Sequence, residues 1–391
     1  MLWSYYMPIS HAFPKEELEN RLGLVRKEMK KNNLNAILIS APENIYYLTG
    51  LDHWGYFACH VLFVPQEGNM ILICRQMEQV SVERYVLNAD FYGFKDFENP
   101  ADFILKAIKD SKFEDSNIGI EKNSLFLTPA IYEEVVIKLN KANCSNCSGL
   151  VDELRQVKSP LEIEYTRKAA ETADVGALAA IEAAKDGASD RDISAEMHSA
   201  MIKAGSEYPG FGPFVRMTDR LNEEHTTWRG DVMRKGDALY IEHAGSFKKY
   251  QAPMGRLVFI GEKPHDADFA ADLSNRAGEA QLKAIKPGAT TGDVYQAWQD
   301  VVDEAGLPEY RRHHCGYLVG IAFPPSWVGG SMVTGLAPNS KRVLKVGMVF
   351  HTHSWLMWSG KGDFFYSNTV ILTENGAEVL TNKTPTTLIV V

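Results

Sequence analysis

The sequence predicts an α+β protein in which a small α/β domain precedes a larger, duplicated α+β domain. Two observations carry this. Short apolar runs alternate with helical patterns over the first 150 residues, and a helix, turn, helix and glycine stop are written twice in the remainder. The length of 391 residues, 45% of them hydrophobic, leaves room for two or three domains with real cores.

Taken in order, Leu18, Leu22, Leu24, Val25 and Met29 recur at roughly helical spacing among charges and predict an amphipathic helix over Lys15 to Lys31. Ala36 to Ser40, Val61 to Val64 and Met70 to Cys74 are short apolar runs bounded by Pro, Gly or Asn, and read as strands. Helical patterns at Met77 to Leu87, Ala101 to Ser111 and Pro129 to Lys141 complete an α/β domain over residues 1–150. Ser159-Pro160-Leu161-Glu162 then forms a capping box with Pro at the first helical position, and opens an Ala-rich helix in a second domain, residues 151–391.

The repeat falls inside that second domain. Lys185, Gly187, Ala188, Ser189, Asp192, Ile193 and Gly205 recur at one constant offset as Lys286, Gly288, Ala289, Thr290, Asp293, Val294 and Gly306. A β-rich stretch follows each copy, Arg234 to Gly245 and Leu344 to Trp355, so the domain reads as two halves related by a pseudo-twofold with a cleft between their sheets. Aligning the strand cores sets Glu242 on His353.

Composition excludes several classes. With 41 Lys+Arg against 50 Asp+Glu the net charge is −9, which argues against a nucleic-acid binder and supplies no polybasic membrane patch. No run of 18 uncharged apolar residues exists to span a membrane, and Met1 to Pro14 lacks the pattern of a signal peptide. Five cysteines indicate a reducing compartment, so the expectation is a cytoplasmic protein; the lone Cys144/Cys147 pair reads as part of a surface loop.

Glu242 stands in an otherwise apolar strand and shares a face with Tyr240 and Ala244. An ionisable group there is expensive unless it is paired or functional. His351 and His353 share a face of the second strand, a spacing suited to metal ligation, hydrogen bonding or acid/base work. His225 lies in a polar stretch, and His313 and His314 follow Arg311 and Arg312 in a cluster that reads as cationic and fit to bind a carboxylate. Phosphate loops, GxSxG and HExxH are absent.

The layout LRxxKSPxEIxxxRKAA before a repeated α+β domain, with KGDALYIEHAG, GYLVGIAF and LKVGMVFHTHSW, resembles the creatinase/prolidase/methionine-aminopeptidase family and implies its pita-bread fold. Metallopeptidases of that family hold two metal ions with two Asp, one His and two Glu. Those positions fall here on Glu242, Pro253, Tyr317, His353 and Ser367. Only Glu242 and His353 remain plausible ligands, whereas a dinuclear site needs bridging carboxylates to hold cations about 3.5–4 Å apart. The resemblance therefore points to the metal-independent branch, ectoine hydrolase and creatinase, with no cofactor. Gly255 replaces a Glu of creatinase and argues against creatine itself. CGYLVGIAFPPSW, GLDHWGYF and Phe350-His351 are similar to ectoine hydrolase, although the Glu that those enzymes keep near Asn368 is absent.

The expected function is hydrolysis of a C–N bond in a small, cationic cyclic amidine, guanidino or amide compound. Glu242 would attack the carbon or orient water, and His225, placed where creatinase-like members carry their catalytic His, would shuttle the proton. Tyr317, His351, His353 and His314 would hold substrate or intermediate. Trp327 and Trp54 would form aromatic walls, Trp54 from the neighbouring subunit of a family-type homodimer. The alternatives are a metal-dependent Xaa-Pro peptidase-like hydrolase with ligands drawn from Glu242, His351 and His353, and a non-catalytic binding module.

Overall fold

The computed structural model describes residues 10–329 and 333–391. They form two compact units, one ending at Arg155 and the other starting at Gln156. That break lies beyond the boundary drawn at 150/151 because a short helix, Leu150–Arg155, stays with the first unit: Arg155 donates to Asn44 Oδ1 at 2.8 Å.

In the first unit, helix α1 (Lys15–Lys31) has the bounds its apolar spacing predicts. Its buried stripe is Leu18, Arg21, Val25 and Met29, and Leu24 is exposed. Arg21 replaces an apolar residue because its guanidinium stacks on Phe13 and Tyr47 and donates to the Tyr47 carbonyl. Strands β1 (Ala36–Ile39), β2 (Val61–Pro65), β3 (Met70–Arg75), β4 (Ala89–Phe94), β5 (Asn117–Ile120) and β6 (Asn143–Asn146) form one mixed sheet in the order β4-β3-β2-β1-β5-β6. Cys144 lies in β6 and Cys147 is buried just after it, both as free thiols, so the pair is not the surface loop expected of it.

The second unit opens with α2 (Pro160–Ala183), where Ser159 and Glu162 make the capping box read from sequence. Helix α3 (Asp190–Lys203) is capped by Ser189, and strands β7 (Phe214–Met217), β8 (Ala238–Phe247) and β9 (Tyr250–Phe259) follow. The second half repeats the plan with α4 (Ala267–Ala284), α5 (Thr291–Glu304, capped by Thr290), β10 (Gly316–Leu318), β11 (Val349–Leu356) and β12 (Phe364–Thr373). Gly187 and Gly288, at φ 83° and 86°, and Gly205 and Gly306, at 95° and 81°, take the same left-handed conformation in both copies, which explains why the repeat keeps glycine there.

The halves do not keep separate sheets. Gly255 and Arg256 of β9 pair with Ser367 and Tyr366 of β12, giving the continuous order β10-β11-β12-β9-β8-β7. The cleft expected between two sheets is therefore a hollow on one face of a single twofold-like sheet. Alternation sorts the rest: Leu239, Ile241 and Val258 pack under α2 and α3, Phe350 and Val370 under α4 and α5. Tyr240, Glu242, His351, His353 and Trp355 point the other way.

Candidate active site

Register aligns the site. Glu242 pairs with Gly255, Gly255 with Ser367, and Ser367 with His353, so Glu242 and His353 occupy equivalent places on either side of the seam. Close approach fixes glycine at 255, where a Cβ would meet Phe365 Cε1 at 2.6 Å and the Ile241 carbonyl oxygen at 2.9 Å.

Glu242 is 7% exposed. Its Oε2 accepts a 2.8 Å hydrogen bond from the Tyr240 hydroxyl. Oε1 lies 3.7 Å from His351 Nε2 and 3.9 Å from His353 Nε2, too far for hydrogen bonds. Burial pushes the carboxyl up to about 7, against the Tyr240 hydrogen bond and the Arg216 charge, which pull it down.

Around it runs a chain of neutral hydrogen bonds. Trp327 Nε1 donates to Tyr317 Oη at 2.9 Å, and that hydroxyl lies 3.0 Å from His351 Nδ1. His351 Nε2 is 2.8 Å from Ser367 Oγ, and His353 Nε2 is 3.0 Å from His351 Nδ1. Tyr317 Oη, which accepts from Trp327, and Ser367 Oγ flank the two ring nitrogens of His351, so in the neutral ring one nitrogen donates and the other accepts through its single lone pair. Burial holds both imidazoles well below their ordinary pKa, so the network carries no charge. Tyr317 and Ser367, two positions at which the resemblance places metal ligands, thus serve as hydrogen-bonding groups. A third, Pro253, offers no side-chain donor, and its carbonyl accepts from Thr369 Oγ1 at 2.7 Å.

A cavity of about 310 Å³ opens over Glu242. His225, His314, Tyr317, Trp327 and His353 line it with Glu242, so the second unit brings these six expected residues together; His351 lies in contact behind them. His225 stands at φ 45°, a conformation rare outside glycine, with its ring against Phe211 and Phe214. Trp54 belongs to the first unit, where it is 55% exposed and stacks on Tyr56.

The cationic cluster is corrected. Burial, with Arg312 and His313 beside it, lowers His314 to about 4, and burial lowers His313 as well. Arg311 turns away to Asp303 at 2.7 Å. Arg312 alone of the four brings a lasting positive charge to the cavity. Arg216, which the sequence reading missed, brings another from β7: it is 1% exposed and packs 4.2 Å over the Tyr240 ring. A single Arg inside the four-residue strand FVRM was the available signal.

The site does not fit two metal ions, for want of bridging carboxylates. Glu242, His351 and His353 do place three donor atoms within 4.8 Å of one another, enough for one ion.

The fold and this cavity define a hydrolase of pita-bread architecture whose pocket is built by the second unit. The chain belongs to metallopeptidase family M24, whose model matches residues 164–374, and the creatinase/prolidase N-terminal domain matches residues 21–157. It is 27% identical over 390 residues to the ectoine hydrolase of Halomonas elongata, covering 95% of this chain and 97% of that protein. It is 24% identical over 364 residues to the Xaa-Pro dipeptidase of Pyrococcus furiosus, covering 93% and 98%. Among solved structures, a prolidase from Thermococcus sibiricus superposes with TM-score 0.85 at 24% identity, covering 96% of this chain and 99% of that one. No helix among the described residues is long and apolar enough to cross a membrane.

Proposed function

We propose that this M24 hydrolase cleaves a C–N bond of a small cyclic amidine, guanidino or amide compound without a metal, in the manner of an ectoine hydrolase. One observation carries the reading: a buried carboxylate, Glu242, has one oxygen open to the cavity, while Pro253, Tyr317 and Ser367 stand at three further positions where the resemblance places metal ligands. Without a metal to activate water, the substrate carbon must already be electrophilic, as in a protonated amidine, and a cationic substrate pairs with Glu242. A carboxyl near 7 is matched to proton transfer at neutral pH.

Glu242 takes the proton of the attacking water, or adds through Oε1 to give an adduct that water releases. In both routes a C–O bond forms at the amidine carbon and the C–N bond breaks. His225, at the cavity wall, delivers a proton to the leaving nitrogen and recovers one from the water consumed, by way of Glu242 in the first route and on release of the adduct in the second. His351, His353 and Tyr317 hold the tetrahedral intermediate, and a homodimer lets Trp54 close the partner's cavity.

The test is a turnover panel of ectoine, creatine and Xaa-Pro dipeptides, with metal analysis of the same sample. Hydrolysis of an amidine that survives chelation supports the reading, and an adduct on Glu242 seen by mass spectrometry after acid quench selects the covalent route. Cleavage of Xaa-Pro dipeptides that depends on stoichiometric metal overturns it. That result would favour a second reading, motivated by the convergence of Glu242, His351 and His353: these residues would hold one divalent ion, and Lewis-acid activation of water is the chemistry it would supply.

A further inference from the structure

We infer that the cavity is built for a zwitterion: a substrate whose amidinium or guanidinium end meets Glu242 and whose carboxylate is received by Arg216, with Arg312 as its second donor. This rests on the proposed function for the Glu242 end and on separate observations for the Arg end.

Arg216 is 1% exposed, yet its Nε and Nη1 have no hydrogen-bond partner. A buried guanidinium normally lies in a network of acceptors, because its five N–H donors are costly to leave bare. Arg256, equally buried two strands away, shows the ordinary case: it donates to the carbonyls of Gly255, Ser367, Thr384 and Pro385 and to Asn368 Oδ1. Arg216 packs on the face of Tyr240, a contact that leaves its in-plane donors uncommitted, and the residue lines the cavity. Arg312 repeats the arrangement, with its guanidinium 4.6 Å over Trp355 and a buried, unpartnered Nε.

The spacing sets the ligand size. Arg216 pairs with Tyr240 across β7 and β8, and Glu242 is two residues further on, so the two charged residues are diagonal neighbours about 7–8 Å apart between Cα atoms. Glu242 is held off Arg216 by the Tyr240 ring, whose hydroxyl it accepts from, so the two poles do not neutralise each other directly. Glu224 also lines the cavity and disfavours a ligand carrying negative charge alone. A small molecule with a cation at one end and a carboxylate at the other complements both poles, and a planar guanidinium suits a carboxylate bidentately.

Matched probe pairs test this by calorimetric binding to the His225→Asn protein, which keeps both charged poles while turnover is slowed: ectoine against 2-methyl-1,4,5,6-tetrahydropyrimidine, and creatine against N,N-dimethylguanidine. In one pair or both, the carboxylate member binds at least tenfold tighter. Arg216→Gln brings the two members of that pair within about twofold by weakening only the acid. Arg216→Lys restores part of the preference, and Arg312→Gln gives an independent, smaller loss should the Arg216 variants not fold. Equal affinity within both pairs, no binding of either acid, or an undiminished preference in both Arg216→Gln and Arg312→Gln overturns the inference. A carboxylate preference without hydrolysis by wild type would instead remove the proposed function and leave the Arg assignment standing.

Discussion

Glu121 in the first unit and Glu242 in the second are both buried carboxyls pushed up to about 7 by burial, and they behave as opposites. Glu121 has its oxygens filled: Oε2 accepts from the backbone N–H of Ser40 at 2.8 Å and Ala41 at 2.7 Å, and Oε1 accepts from Asn44 Nδ2 at 2.5 Å. Glu242 accepts one hydrogen bond and keeps its other oxygen on a cavity. A perturbed carboxyl does not by itself mark a catalytic site. Unfilled acceptor capacity beside a cavity separates the group proposed to react from the group that splints a chain turn.

The largest effect should come from exchanging each carboxylate for its amide. Glu242→Gln is expected to lower kcat on the substrate found by the panel by about 10²–10⁴-fold, the range general acid–base groups supply, with the melting temperature unchanged or raised because a buried charge is removed. Glu121→Gln should leave kcat within about twofold and cost about 1–3 kcal/mol in denaturant unfolding, since an amide N–H is turned toward donors that need an acceptor. Full turnover by E242Q would dissolve the contrast. His225→Asn should cost about 10²-fold in kcat if it carries the proton, and wild-type kinetics would take His225 off that path.

The Glu242 side of this contrast could be read from the sequence, whereas Glu121 was not singled out, and the limits are physical. Periodicity placed α1 at its observed bounds, and the duplicated caps and glycines located both halves of the larger unit, because those signals are local. Glu242, His351 and His353 stood out as ionisable groups in apolar strands. The seam between β9 and β12 joins residues far apart in sequence, and no local pattern records it. Arg216 was missed for a related reason: alternation gives the face of a strand, not whether the partner across it offers an acceptor or the face of a tyrosine. The charge of His313 and His314 was misread because burial, which depends on tertiary packing, decides it.

The pH dependence sharpens the comparison further. If ionised Glu242 is the working form, kcat/KM, which reports the free enzyme, rises with pH and levels off above about 7. The same shift has the opposite sign for stability. A carboxyl raised above its unfolded value binds its proton more tightly when folded, so the contribution of Glu242 is fully present below the ordinary Glu range and is lost as pH climbs to about 7. The E242Q protein should therefore lose less stability than wild type between pH 4.5 and 7.

The smallest effect is the most specific. The Tyr240 hydroxyl donates to Glu242 and favours its ionised form, so Tyr240→Phe removes a group that pulls the carboxyl down. The rising limb of the pH–rate profile should then move to higher pH, with the plateau rate changed far less than in E242Q. A purely structural Tyr240 would lower the plateau and leave the limb in place. The limb position therefore reports whether Tyr240 tunes the carboxylate or only packs beneath Arg216. At Glu121 the only such side-chain handle among its described hydrogen-bond donors is Asn44, because the Ser40 and Ala41 donors are backbone amides that substitution leaves in place.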